Sequence, residues 1–384
     1  MTGQLPSTAD VVIVGGGAIG CSLAYYLARE GLRPIVLERE RLGSGSTGRC
    51  AGGVRQQFST EVNIRLGQRS ITILKALPEE VGFDPAYRPI GYLLLATTDA
   101  RSQDLKADVV LQRRLGVDTQ LVDRSAVAQI VPGMATEDVV LASYCQSDGL
   151  AGPNEVTVGY ASAARRLGAV ILEDATVTGI ETSHGSVVGV RCRGGSISSG
   201  LVVNCAGPQA RSVGSMAGVE VAVSPVRHHV WLTSAFEGQP LRSPVTVDLV
   251  TTLYFHPEGP GLMVGMSNFA EPEGENLSVD WSSLPPVIQQ VTLRLPAIGE
   301  ASVVTGWSGL YEMTPDNQPL VGPAEGVDGL WLACGFSGHG FMMAPSLGES
   351  LAQLLTGGSP AVDLSSFSPT RFTEGWTHTE TVVI

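Results

Sequence analysis

Gly15-Gly16-Gly17-Ala18-Ile19-Gly20 follows the apolar run Val11-Val12-Ile13-Val14 and precedes a helical stretch, a second apolar run Ile35-Val36-Leu37, and Glu38. These types at this spacing suit the binding of a dinucleotide pyrophosphate. Gly15 permits a tight turn, Gly17 lets backbone N–H groups approach a phosphate, and Gly20 lets the following helix sit close on the strand. The helix N-terminus, with Ala18 and Ile19 in its first turn, then faces negative charge. Glu38 stands where a carboxylate can accept hydrogen bonds from a ribose diol. The unit by itself fits either a flavin or a nicotinamide dinucleotide.

Other residues able to do chemistry sit in loops. Residues 40–60 carry Ser46, Thr47, Arg49, Cys50, Ala51, Gly52, Gly53 and Arg55. That stretch is too rich in Gly and Ser for regular structure and too long for a plain connection, which marks a functional loop beside a nucleotide site. Asn204-Cys205-Ala206-Gly207-Pro208 ends another apolar run in a glycine turn that reaches the same crevice. Gly338-His339-Gly340 is a third such turn. His228 and His229 are adjacent, so on a strand they face opposite ways, and the pair reads as structural.

The elements that must position these groups follow from the pattern of the chain. Residues 10–38 form a βαβ start, 61–77 and 154–168 have helical periodicity, and 170–173, 176–181 and 187–192 read as strands. The strand Leu330 to Gly335 and an amphipathic helix from Ala344 to Leu355 restore the opening pattern near the far end. We therefore expect an α/β fold of two domains: a Rossmann-like nucleotide domain interleaved with a mainly antiparallel β-sheet substrate domain. The expected nucleotide domain takes 1–82, 150–218 and 320–372. The substrate domain takes 83–149 and 219–319, and residues 373–384 form a C-terminal tail.

Composition narrows the class. The chain has 384 residues, 43% of them hydrophobic and 16% charged, which describes an ordered globular protein. Its net charge of −13 argues against nucleic acid or an anionic membrane as partner. No apolar run is long enough for a transmembrane helix, and Met1 to Ala9 lacks the features of a secretion signal, so a cytoplasmic location is expected. Six cysteines without metal-ligand spacing predict neither a disulfide framework nor a metal site.

The glycine fingerprint, the loop Gly43 to Phe58, the turn 204–208, the strand Gly309-Leu310-Tyr311-Glu312-Met313-Thr314-Pro315-Asp316 and Gly335-Phe336-Ser337-Gly338-His339-Gly340 together resemble the FAD-dependent amine and amino-acid oxidoreductases. Nearly the whole chain takes part in the resemblance. Within that superfamily of D-amino-acid oxidase, glycine oxidase and sarcosine oxidase, the chain is similar to the β subunits of heteromeric sarcosine oxidase and L-proline dehydrogenase. The resemblance implies FAD with adenosine at Glu38 and Arg39, pyrophosphate on Gly15 to Gly20, and the flavin under Ser46 to Gly53. Val177, Cys205, Ala206, Gly207, Gly335, Gly338, His339, Gly340, Phe341 and Met342 complete the implied cofactor set. The implied reaction is hydride transfer from an amine-bearing carbon to flavin N5, giving an imine.

Four residues carry the implied substrate chemistry. Arg55 matches the arginine that clamps the substrate carboxylate in sarcosine oxidases. Tyr254 matches an active-site tyrosine, and His339 is a flavin neighbour. Tyr311 stands where glycine oxidase has a carboxylate-binding arginine, which leaves the grip to Arg55. Other departures bear on the cofactor. Gly309 replaces a flavin-linking cysteine, so FAD should be noncovalent. Met263 replaces an oxygen-activating lysine, which favours a dehydrogenase over an oxidase. Near Pro153 the histidine that holds a covalent FMN in heteromeric sarcosine oxidases is missing. The expected partners are a small amine or amino acid and an electron acceptor or partner subunit. An NAD(P)-dependent dehydrogenase and a flavin subunit that acts mainly through partners remain as alternatives.

Overall fold

The computed structural model describes residues 5–268 and 270–383; Met1–Gln4, which begin the polar N-terminal lead, and Ile384 at the end of the tail lie outside them. Val11–Val14 is a fully buried strand, as its unbroken β-branched composition requires of a strand covered on both faces. It lies in a six-stranded sheet ordered Leu320–Pro323, Leu330–Cys334, Val202–Asn204, Val11–Val14, Pro34–Leu37, Val170–Leu172. All neighbouring pairs run parallel except the edge strand Leu320–Pro323, which is antiparallel.

Register explains why the three glycine turns converge. Val14 is level with Asn204, and Asn204 is level with Leu332, so the chain leaves three adjacent parallel strands at the same edge. Gly15, Gly207 and the 335–340 turn therefore open on one crevice at the carboxyl ends of the strands. Helices Ala18–Arg29, Glu61–Glu80, Pro153–Arg166 and Gly340–Leu355 supply one apolar face against this sheet, with Leu23, Leu27, Tyr160, Met343 and Leu347 in the core. A three-stranded antiparallel sheet over 177–198 and the helix Ala210–Ser215 cover the other face.

A second sheet of eight mostly antiparallel strands is ordered Val303–Met313, Ser224–Thr233, Gly261–Gly265, Tyr254–Glu258, Val245–Asp248, Tyr92–Ala96, Leu141–Cys145, Gln120–Val122. One face packs on helices Arg124–Ile130 and Leu284–Arg294 through Trp231, Phe255, Leu262 and Val264. Alternation turns Tyr92, Tyr254 and His256 to the other face, toward the first sheet. Between the sheets runs the loop after Glu38, which is less irregular than its composition suggests. It holds a 3₁₀ turn at Thr47–Arg49 and a short strand Gly53–Val54 paired with Gly149–Leu150. The last helix begins at Gly340, four residues before the expected Ala344, because Pro345 near its start forfeits few backbone bonds.

Candidate active site

One elongated cavity of about 500 Å³ joins the two sheets, within the range of small-molecule sites. At one end Gly15, Gly17, Ala18, Ile19, Glu38, Arg39 and Val177 line it. Gly15 has φ +112°, and a Cβ there would fall 2.3 Å from the Cys205 carbonyl oxygen, so this turn requires glycine. Glu38 accepts from Gly16 N at 2.7 Å and Glu40 N at 2.9 Å, which holds its carboxylate at the mouth of the turn. Thr47 Oγ1 accepts from Ala18 N at 3.2 Å and ties the loop to the helix N-terminus.

The middle of the cavity is walled by Ser46, Thr47, Cys205, Ala206 and Gly207. Ser46 Oγ donates to the Leu310 carbonyl at 2.7 Å, Arg49 Nη1 to the Ser308 carbonyl at 3.3 Å, and Trp307 Nε1 to the Arg49 carbonyl at 2.9 Å. The loop is thus fastened to the second sheet. Cys50, Ala51, Gly52 and Gly53 continue the wall, and burial pushes the Cys50 thiol up to about 11, so it stays protonated. Gly338, His339, Gly340, Phe341 and Met342 close the far end, where the start of the sixteen-residue helix Gly340–Leu355 leaves N–H groups for negative charge.

Two expected cofactor contacts stand behind the wall instead of in it. A Cβ on Gly20 would fall 2.0 Å from the Gly15 carbonyl oxygen, so Gly20 is needed for helix–strand contact alone. Gly335, at φ +75°, packs against Thr314 and donates its N–H to Glu312 Oε2 at 2.9 Å.

All four expected substrate residues meet at the far end. Arg55 is wholly buried with its guanidinium 4.0 Å above the Phe58 ring, and Nη2 lies 3.2 Å from His339 Nε2. Burial pulls its pKa down, while Tyr92, Glu380, Asp148 and Tyr311 around it favour the charged form. Among the described residues no carboxylate touches it, and its Nε has no partner. Burial and the Arg55 charge hold His339 well below the ordinary histidine range, so the ring is neutral and Nε2 accepts. Tyr311 and Tyr254 stay protonated because burial raises both. Each reaches the site over a glycine: a Cβ would meet the Tyr311 ring at 2.5 Å from Gly338 and the Tyr254 ring at 2.2 Å from Gly265.

Sequence reasoning missed several wall residues. His228, read as structural, stacks on Tyr311 with centroids 3.8 Å apart, while His229 turns away onto Trp231. Tyr92 and His256 also face the cavity, and His256 Nε2 is buried without a partner. Strand alternation with Tyr254 was the available signal for His256. Glu312 lines the cavity, and burial raises its carboxyl to about 7 against bonds from the Gly335 and Phe336 N–H groups.

Glycine turns and a helix start at one end, a second helix start at the other and an apolar, tyrosine-rich chamber between the sheets fit an extended FAD. Glu38 and Gly15–Ile19 would hold the adenosine diphosphate, and Cys50–Gly53 with Gly338–Met342 the flavin. Gly309, also on the wall, offers no side chain for a covalent link. A family model described as FAD dependent oxidoreductase matches residues 10–354. Sarcosine dehydrogenase, mitochondrial, of Homo sapiens is 31% identical over 384 residues, covering 96% of this chain and 42% of its own length. The chain therefore spans less than half of that relative. The crystal structure of L-proline dehydrogenase from P. horikoshii superposes with a TM-score of 0.92 at 33% identity, covering 97% of this chain and 100% of that one. Glycine oxidase from Geobacillus kaustophilus gives 0.84 at 26% identity, covering 95% and 99%. The chain belongs to the FAD dependent oxidoreductase family, and FAD is its cofactor.

Proposed function

We propose that this protein oxidises the carbon–nitrogen bond of a secondary amine or amino acid of the sarcosine, proline, glycine or D-amino-acid kind, acting as a dehydrogenase. Arg55 carries the amino-acid reading. A buried guanidinium on the cavity wall, with no carboxylate in contact among the described residues, suits an anion supplied by the substrate. The bound flavin would supply the acceptor for hydride from the substrate carbon. The chain's own part is to orient and enclose. Arg55 holds the carboxylate, neutral His339 holds Arg55, and the protonated phenols of Tyr254 and Tyr311 offer donors at the chamber wall.

The dehydrogenase reading rests on the absence of a lysine from the cavity wall; the arginines there are held by other groups, Arg49 by the Ser44 and Ser308 carbonyls and Arg55 by the Gln57 and Val382 carbonyls. Lys75 and Lys106 are the chain's only lysines, and both lie on helices that do not line the cavity. A cation beside the flavin would stabilise negative charge building on oxygen. Met263, buried on the strand Gly261–Gly265, supplies none. On this reading the electron acceptor would be a carrier or a partner subunit instead of oxygen. Among the described residues no helix is long and apolar enough to cross a membrane.

An anaerobic titration of the FAD-loaded chain with sarcosine, L-proline, glycine and D-proline tests the reading. At least one should bleach the flavin, and reoxidation should be faster with an artificial acceptor than with oxygen. A flavin left coloured by every amine and amino acid offered would overturn it.

A further inference from the structure

The guanidinium of Arg55 is held by more than the site's own loop. Nη1 donates to the Gln57 carbonyl, and the hydrogens of Nη2 face His339 Nε2 at 3.2 Å and the Val382 carbonyl at 2.6 Å. Val382 comes from the segment beyond the 3₁₀ turn Pro369–Arg371, which the sequence marks only as a tail. That segment is anchored as firmly as a core element. Glu380 is fully buried, and its Oε1 accepts from Ser59 N, Ser59 Oγ and Val382 N at 3.0, 2.6 and 3.0 Å. Its Oε2 accepts from Thr60 Oγ1 at 3.1 Å and Asn63 Nδ2 at 2.8 Å. Arg101 Nη2 donates to the Thr381 carbonyl at 2.9 Å, and the Val382 side chain packs in the cluster of Tyr92, Leu94, Val245 and Val247.

We propose that residues 379–383 are a positioning part of the substrate site: the Val382 carbonyl, anchored through Glu380, fixes the Arg55 guanidinium on the cavity wall in the orientation in which it meets the substrate carboxylate. The proposal rests on the carboxylate-clamp reading of Arg55. Charge placement supports it. A buried guanidinium needs negative charge nearby, and a carboxylate in direct contact would fill the clamp. Here Glu380 and Asp148 act on Arg55 from a distance, Glu380 tied to Ser59, Thr60 and Asn63, and Asp148 to Gln56 and Gln57. The cation is thus compensated without a carboxylate in direct contact among the described residues.

The test uses acetate, a carboxylate that cannot be oxidised here, titrated into the FAD-loaded protein and read by the shift in flavin absorbance, with acetamide as the neutral control. Ending the chain after Thr379 should weaken acetate about tenfold, the loss of roughly one charge-assisted hydrogen bond, and leave acetamide unchanged. Glu380→Gln, which keeps the shape but misplaces a donor against Asn63, should weaken acetate about threefold and raise KM for the amino acid with kcat held. A shortened chain that keeps its flavin and binds acetate within about twofold of the parent overturns the proposal. Should that chain lose its flavin, Glu380→Gln decides by the same criterion. Acetate binding that is absent in the parent, or unchanged by Arg55→Ala, removes the clamp reading and the proposal with it.

Discussion

Arg55 and Glu312, two charged side chains of the cavity wall, each give a readout at the scale of a single residue. On the proposed clamp role, Arg55→Ala should lower kcat/KM for L-proline or sarcosine about 100-fold, near 2.7 kcal/mol. Pyrrolidine and dimethylamine, the same amines without the carboxylate, should lose less than about threefold; equal losses in both pairs would show that Arg55 is only structural. Glu312 gives a pH signature. Its carboxyl titrates near 7 in the fold against 4.5 ordinarily, so between those values the native chain holds a proton the unfolded chain has lost. Stability contributed by this group is therefore lost as pH rises from about 4.5 through 7. In the flavin-free protein, Glu312→Gln should raise the unfolding midpoint at about pH 8 and leave it nearly unmoved at about pH 4, measured by thermal melts. A midpoint gain of the same size at both values would refute the assignment. Resemblance made Arg55, Tyr254, Tyr311 and His339 legible because each sits in a motif. Tyr92, His228 and His256 were illegible because nothing local distinguishes a strand residue that faces a cavity from one that faces a core.

Elements were more legible than side chains where local pattern and tertiary demand agree. The strand Val11–Val14, the helix Ala18–Arg29 and the strand Pro34–Leu37 follow directly from an apolar run, a glycine turn and a second apolar run. Position within that unit still decides what each glycine does. Gly15 shapes the cavity wall, whereas Gly20 is hidden between helix and strand. Gly20→Ala should therefore push the helix off the strand without touching cofactor, and the purified protein should carry less than about a tenth of the parent's flavin per chain. Gly200→Ala, where a Cβ meets nothing within 4 Å and φ is ordinary, should retain it fully. Flavin content measured by absorbance on both variants checks the contrast, and full retention by Gly20→Ala would contradict the packing role. The helix Gly340–Leu355 is the instructive difference: it starts four residues before the expected Ala344, directly after the turn at Gly338–His339.

At the scale of the whole molecule, the cofactor cavity is the seam between two sheets, and its walls are drawn from segments far apart in sequence. Arg55 and Val382 are 327 positions apart, and Ser46 and Leu310 are 264 apart. Such contacts leave no periodicity to read, which is why the loop legible as functional gave no hint of its fastening to the second sheet or of the buried segment around Glu380. The same seam makes a prediction about stability. FAD without a covalent link binds the folded chain and has no site on the unfolded one, so it should stabilise by mass action, about 2.7 kcal/mol at a free concentration of 100 times Kd. With an unfolding entropy of about 2.1 cal/mol/K per residue, a chain of this length should melt roughly 3 °C higher than its flavin-free form. Acid precipitation should release the yellow cofactor into solution, and adding FAD back to the stripped chain should restore the melting point. A stripped chain that melts no lower than the loaded one, or a pellet that stays yellow, would mean that the seam does not depend on a noncovalent FAD.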